Sequence, residues 1–137
     1  MKLRVPQWYE AEDVWPAILP WVERALAHGR MAFTSGDILK DVLLRHKKLW
    51  LAEDGGDIRG FAVTAIETYP RRRCFVIVLI GGEGFKDWGF FIADMERYAK
   101  GMGCQEVCAL GRLGWTRAAL PFGYRPQSIV YRKVLEP

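Results

Sequence analysis

The chain has 137 residues, the size of one ordinary domain with a single buried core, so one domain over residues 1–137 with one site is expected. Half of its residues are apolar and 26% are charged, a balance that excludes intrinsic disorder. The formal charge of +4 is spread over mixed acidic and basic residues, which is weaker than the footprint of a nucleic-acid binder.

No apolar run approaches the roughly 20 residues that cross a bilayer, and Met1-Lys2-Leu3-Arg4-Val5-Pro6 lacks the apolar centre of a signal peptide. A cytoplasmic protein without a membrane partner is the expectation. Cys74, Cys104 and Cys108 cannot all pair with one another and match no zinc spacing, so reduced thiols and no metal are expected.

In chain order, Asp13 reads as the cap of a helix with Val14, Ile18, Trp21, Val22, Ala25 and Leu26 at helical spacing, ending near His28-Gly29. Pro16 suits its first turn, and Pro20 predicts a kink or a late start. Thr34-Ser35-Gly36-Asp37 caps a second, shorter helix carrying Ile38, Leu39, Val42 and Leu43. Strand chemistry follows: residues 49–52, the turn Asp54-Gly55-Gly56-Asp57, and residues 58–69, in which Phe61, Val63 and Ala65 share a face. These two strands are expected to form a hairpin.

Arg71-Arg72-Arg73 falls at the next turn, where a solvated tip is the plain reading and weak, nonspecific phosphate contact the alternative. Residues 74–80 form an almost unbroken apolar run, as in a central strand covered on both faces. Gly81-Gly82-Glu83-Gly84 ends it. Asp87 then opens a helix with the stripe Trp88, Phe91, Ile92, Met95, Ala99 and Met102, leaving Asp94, Glu96, Arg97 and Lys100 to face water. Gly101 and Gly103 stop this helix before a buried strand at 106–110, which makes a parallel strand-helix-strand crossover. A short helix at 116–120 leads through Pro121-Phe122-Gly123-Tyr124 to a last strand at 128–135. His28 and His46 read as surface or helix-end residues.

The succession of two helices, an antiparallel hairpin, a central strand, the glycine loop at 81–84, a long helix, a strand, a short helix and a closing strand resembles the GNAT acyltransferase superfamily. The resemblance implies an α/β (α+β) fold: a mixed central sheet of antiparallel hairpin and parallel β-α-β crossover, flanked by helices on both faces. It implies that acyl-coenzyme A, such as acetyl-CoA, enters a gap between the strands at 74–80 and 106–110. The pyrophosphate then lies on the loop and the following helix terminus, a site favoured by unpaired amides and the helix dipole. The residues placed at that edge are Leu79, Ile80, Gly81, Gly82, Gly84, Phe85 and Lys86. Arg112, Trp115 and Arg117 join them at the end of the second strand, where open α/β sheets bind ligands. The stretches Gly103-Cys104, 111–117 and Gly123-Tyr124 also resemble small GNAT-like proteins of bacteriophages, which implies the alternative of a non-catalytic virion or assembly protein with other phage proteins as partners.

Several positions depart from the GNAT pattern. Gly82 and Gly84 supply the loop's glycine pair, but Leu79 stands where the family has Gln or Arg. No acid lies within 74–80 to serve as general base, which leaves Glu67 and Glu83 as substitutes. Ala119 occupies the place of the family's tyrosine acid, and Tyr124 is the remaining candidate. The resemblance therefore implies N-acyl transfer to an amine on a degenerate catalytic site.

Overall fold

The computed structural model describes residues 1–29, 32–111 and 115–137. Five strands form one sheet in the order β1-β2-β3-β4-β5: β1 at Lys2–Arg4, β2 at Lys48–Asp54, β3 at Asp57–Thr68, β4 at Arg73–Gly82 and β5 at Glu106–Ala109. The first four are antiparallel to their neighbours, and β5 runs parallel to β4. The expected hairpin and parallel crossover are both present. The middle strand by order is β3, with β4 beside it and covered on both faces.

Helix α1 spans Ala11–Gly29 and begins two residues before the expected cap. A 3-10 turn at Trp8–Glu10 precedes it, tied by the Gln7 amide donating to Glu10 Oε1 at 3.0 Å. Asp13 therefore lies in the first turn rather than at the cap, where it still complements the helix dipole. Pro16 and Pro20 both sit inside α1, so Pro20 marks no late start. Packing outweighs the amides lost at the prolines, because Trp15, Ile18 and Val22 are all buried on the sheet. Helix α2, Ser35–Leu43, begins where expected, with Thr34 accepting from the Asp37 amide at 3.1 Å and Asp37 accepting from the Thr34 amide at 2.9 Å.

Helices α1 and α2 cover one face of the sheet, burying Phe61, Val63, Cys74, Val76, Val78 and Leu79 with Ile18, Val22, Ile38 and Val42. The other face is covered by α3 at Phe85–Trp88, a 3-10 turn at Gly89–Phe91 and α4 at Ile92–Gly101. The single long helix read from the sequence is thus broken at Gly89, whose position against the Phe85 ring leaves 3.0 Å for a Cβ. Its apolar stripe is buried except for Met102, which lies past the end of α4 and is exposed.

The closing strand expected at 128–135 is absent: residues 124–137 form no strand, and Val130 and Leu135 are 77% and 79% exposed. A segment with the β-branched residues Ile129, Val130 and Val134 becomes a strand only beside a paired neighbour, and β5 offers four residues of ladder.

Candidate functional site

The parallel ladder between β4 and β5 is short. Its registered pairs run from Cys74–Glu106 to Ile77–Ala109, and the Leu110 amide adds one bond to the Ile77 carbonyl at 3.2 Å. Strand β4 continues for five more residues, to Gly82, paired with β3 on one side and with no strand on the other among the described residues. A bulge falls within this stretch, since Leu79 opposes Val63 while Ile77 opposes Thr64, which leaves Val78 without a partner. Val78 and Leu79 consequently both point into the α1 core. What Leu79 presents to the split is its backbone.

The loop that follows is built around close backbone approach. Gly82 has φ +134°, and a Cβ there would come within 2.4 Å of the Arg59 carbonyl oxygen. That carbonyl accepts the Glu83 amide at 2.8 Å, so this donor of the loop is already used. Gly84 has φ +66° and caps α3 in the left-handed conformation. The Glu83 carbonyl accepts the Trp88 indole N–H at 2.8 Å, which fixes the loop to α3. The Asp87 carboxylate lies beside Gly84, 3.2 Å from where a Cβ would stand. Lys86 is exposed next to it.

Phe85 is the hub of the aromatic groups at this edge. Its ring meets those of Trp88, Trp115 and Phe122 edge to face at 5.0, 5.4 and 6.1 Å. Trp115 therefore joins the split from the α5 side, where α5 spans Thr116–Ala119, and its ring packs on Phe85. Arg117 is exposed on α5. Arg112 and the His28 side chain lie outside the described residues.

The acid-base candidates are scattered. Glu67 pairs in register with Cys74, at the closed end of the β4–β5 ladder and away from the split. Its carboxylate accepts from the exposed Tyr69 hydroxyl at 3.4 Å. Glu83 is exposed in the loop. Tyr124 is half-buried, and its hydroxyl donates to Glu96 Oε2 at 2.7 Å. Burial first, and the Glu96 carboxylate second, push the phenol above its ordinary range. Glu96 does not simply face water as expected; it closes this contact from α4, and only the later return of the chain at Tyr124 reveals its partner. His46 is exposed, with Nδ1 3.9 Å from Asp41. In the basic run, Arg72 is paired with Glu106 at 3.0 Å, and the Arg73 amide donates to Gln105 Oε1 at 2.7 Å.

No protein-family model matches the sequence, and no curated protein matches it. Solved structures do. An aminoglycoside acetyltransferase from an uncultured soil metagenomic sample, solved with sisomicin, superimposes with a TM-score of 0.70 at 13% identity, covering 98% of this chain and 96% of that one. A ribosomal-protein-alanine N-acetyltransferase from Brucella melitensis gives 0.71 at 12% identity over 98% of this chain and 100% of its own. A Bacillus halodurans protein gives 0.71 at 14% identity, covering 98% and 100%. The chain has the GNAT fold.

Within this fold the β4–β5 ladder ends at Ile77 and Ala109, and the glycine loop leads from β4 into α3. No helix among the described residues is long and apolar enough to cross a membrane.

Proposed function

We propose that this protein binds an acyl-coenzyme A, such as acetyl-CoA, in the split between β4 and β5 and transfers the acyl group to an amine. The observation that carries this reading is the end of the ladder at Ile77 and Ala109, which leaves residues 78–82 of β4 with an edge that is open among the described residues and leads into the glycine loop. An unpaired strand edge inside a fold is a hydrogen-bonding rail for an extended ligand. The backbone of Leu79, Ile80 and Gly81 supplies that rail. Gly82 and Gly84 let the chain turn where a side chain would clash, which brings the Phe85 and Lys86 amides to the phosphate end.

The fit has an electrostatic cost. Lys86 attracts a pyrophosphate, whereas Glu83 and Asp87 repel it at short range. Arg117 is the further cation we assign to phosphate, and Arg112 is added to it from the sequence resemblance alone, with Trp115 and Phe85 forming the apolar wall.

A bound acyl-CoA brings an activated thioester carbonyl. The chain's share of the reaction is placement: holding that carbonyl beside an amine replaces a bimolecular encounter by a positioned one. Proton removal from the amine falls to water or to Glu83. Glu67, at the closed end of the ladder, is the poorer base, and Tyr124, held by Glu96 as a weakened acid, is a poor donor to the leaving thiolate, which takes its proton from water. A slow enzyme of broad positioning power is the consequence, and cytoplasmic acyl-CoA pools are its donor. The reading as a phage assembly protein rests on sequence resemblance within residues 103–124.

The test is release of free coenzyme A thiol from acetyl-CoA in the presence of a panel of primary amines: aminoglycosides, an N-terminal peptide and a polyamine. Acceptor-dependent release, with acetylated product of the expected mass, is the result the proposal requires. Tight acetyl-CoA binding with no acetylated product from any amine makes the split a binding site without chemistry.

A further inference from the structure

The face of β4 and β5 turned toward α1 holds a cluster that the split does not use. Cys74 pairs in register with Glu106, and Val76 with Cys108, so Cys74, Glu106 and Cys108 all project from the same face of neighbouring strands. The two thiols are free, and their Sγ atoms are 2.7 Å apart. Cys74 is buried and Cys108 half-buried. Glu106 Oε1 lies 3.9 Å from Cys108 Sγ, while its other oxygen is held by Arg72 at 3.0 Å. Cys104 packs among the residues of the opposite face and is no competitor for either sulfur.

We propose that Cys74 and Cys108 are a peroxide-sensitive thiol pair, which closes to a disulfide that fastens β4 to β5 at the closed end of the split. A metal is the rival occupant, because the three ligand atoms lie within 4.8 Å of one another. Two thiolates on a tetrahedral zinc, each about 2.3 Å from the ion, stand roughly 3.7 Å apart, well beyond the separation of this pair. Arg72 also already neutralises the carboxylate that a cation would need.

The order of events follows from the surroundings. Burial, together with the neighbouring Cys108, pushes the Cys74 thiol up to about 12, so Cys74 stays protonated and Cys108 reacts first. The Cys108 thiolate attacks one oxygen of hydrogen peroxide. The O–O bond breaks, leaving a sulfenic acid, and the departing hydroxide takes up a proton as water. Cys74 sulfur then attacks Cys108 sulfur. The S–S bond forms as the S–O bond breaks, and the leaving hydroxide takes the Cys74 proton as a second water. Two thiols are oxidised and one peroxide is reduced. An external dithiol reverses the step by exchange.

The chemistry is separable from acyl transfer and is read without substrate. The reduced protein is treated with sub-millimolar hydrogen peroxide, denatured, alkylated with N-ethylmaleimide and weighed intact. Of the three cysteines, only Cys104 is expected to remain labelled, and a proteolytic fragment should join Cys74 to Cys108 until dithiothreitol is added. The oxidised protein should melt higher, on the order of 5–10 °C, since the bond closes a long loop. Cys104→Ser, which leaves the cluster untouched, should cross-link to completion with no labelled thiol. Cross-links through Cys104, or sulfinic acid at Cys108 with Cys74 still labelled, would overturn the proposal. So would equimolar zinc that stays bound on gel filtration and shields both thiols from peroxide.

Discussion

Ile77 and Ala109 are the last registered partners of the parallel ladder, and one bond from the Leu110 amide to the Ile77 carbonyl, 3.2 Å long, closes it. Everything assigned to ligand lies beyond this pair, and the thiol cluster lies before it. The bulge at Val78 falls just past the junction, where it turns both Val78 and Leu79 toward α1. The split is therefore defined by backbone more than by side chains, which is why the replacement of Gln or Arg by Leu79 does not remove it.

Gly60 on β3 is packed against the indole of Trp88, so that a Cβ there would come within 2.3 Å of the ring. Gly60→Ala must displace Trp88, which in turn is hydrogen-bonded to the Glu83 carbonyl of the glycine loop. A loss of roughly 1–3 kcal/mol is expected from such overpacking. Denaturant unfolding followed by tryptophan fluorescence measures it, and an unchanged midpoint would mean that the ring is not pinned between β3 and the loop.

Thr64 is the buried polar residue of the core among the described residues, and its Oγ1 accepts the Trp50 indole N–H at 2.9 Å. Thr64→Val keeps the shape and strands the donor. The expected cost is about 1–3 kcal/mol, the penalty for a buried group left unpaired. Thr64→Ser should recover most of it. Thermal unfolding of the two variants decides the matter, since a purely steric role for Thr64 predicts the opposite order.

The Tyr124–Glu96 contact carries a pH dependence of definite sign. In the folded chain burial and Glu96 favour the neutral phenol, so its pKa lies above the unfolded value of about 10. The contribution is present in full below about pH 10 and is lost as pH rises through the higher folded value. Tyr124→Phe should lower stability at neutral pH and flatten the alkaline decline. A steeper alkaline decline in the variant would contradict the geometry.

Much of this was legible in the sequence because local signals and packing agreed. The Thr34–Asp37 capping box, the Asp-Gly-Gly-Asp turn and the apolar run of β4 each specify an element without outside help. The failures share a cause, which is dependence on distant partners. Residues 128–135 have strand composition, yet composition does not supply a neighbouring ladder. Pro20 argues locally against a helix that Ile18 and Val22 hold by burial. The glycine loop was legible as the end of β4, and Phe85 was placed beside it by the family resemblance, whereas the Glu96 hydrogen bond and the Cys74–Cys108 contact join residues 28 and 34 positions apart. Cysteine spacing along the chain said nothing about register between β4 and β5.

Acyl-CoA binding in the split is measured by calorimetric titration with acetyl-CoA, with wild type run beside Gly84→Val. Gly84 holds φ +66° with Asp87 at its side, so a branched side chain closes the backbone approach without altering charge. Saturable one-to-one heat is expected for the wild type and at least a tenfold weaker affinity, about 1.4 kcal/mol, for a folded Gly84→Val. No heat from the wild type at millimolar acetyl-CoA would contradict it.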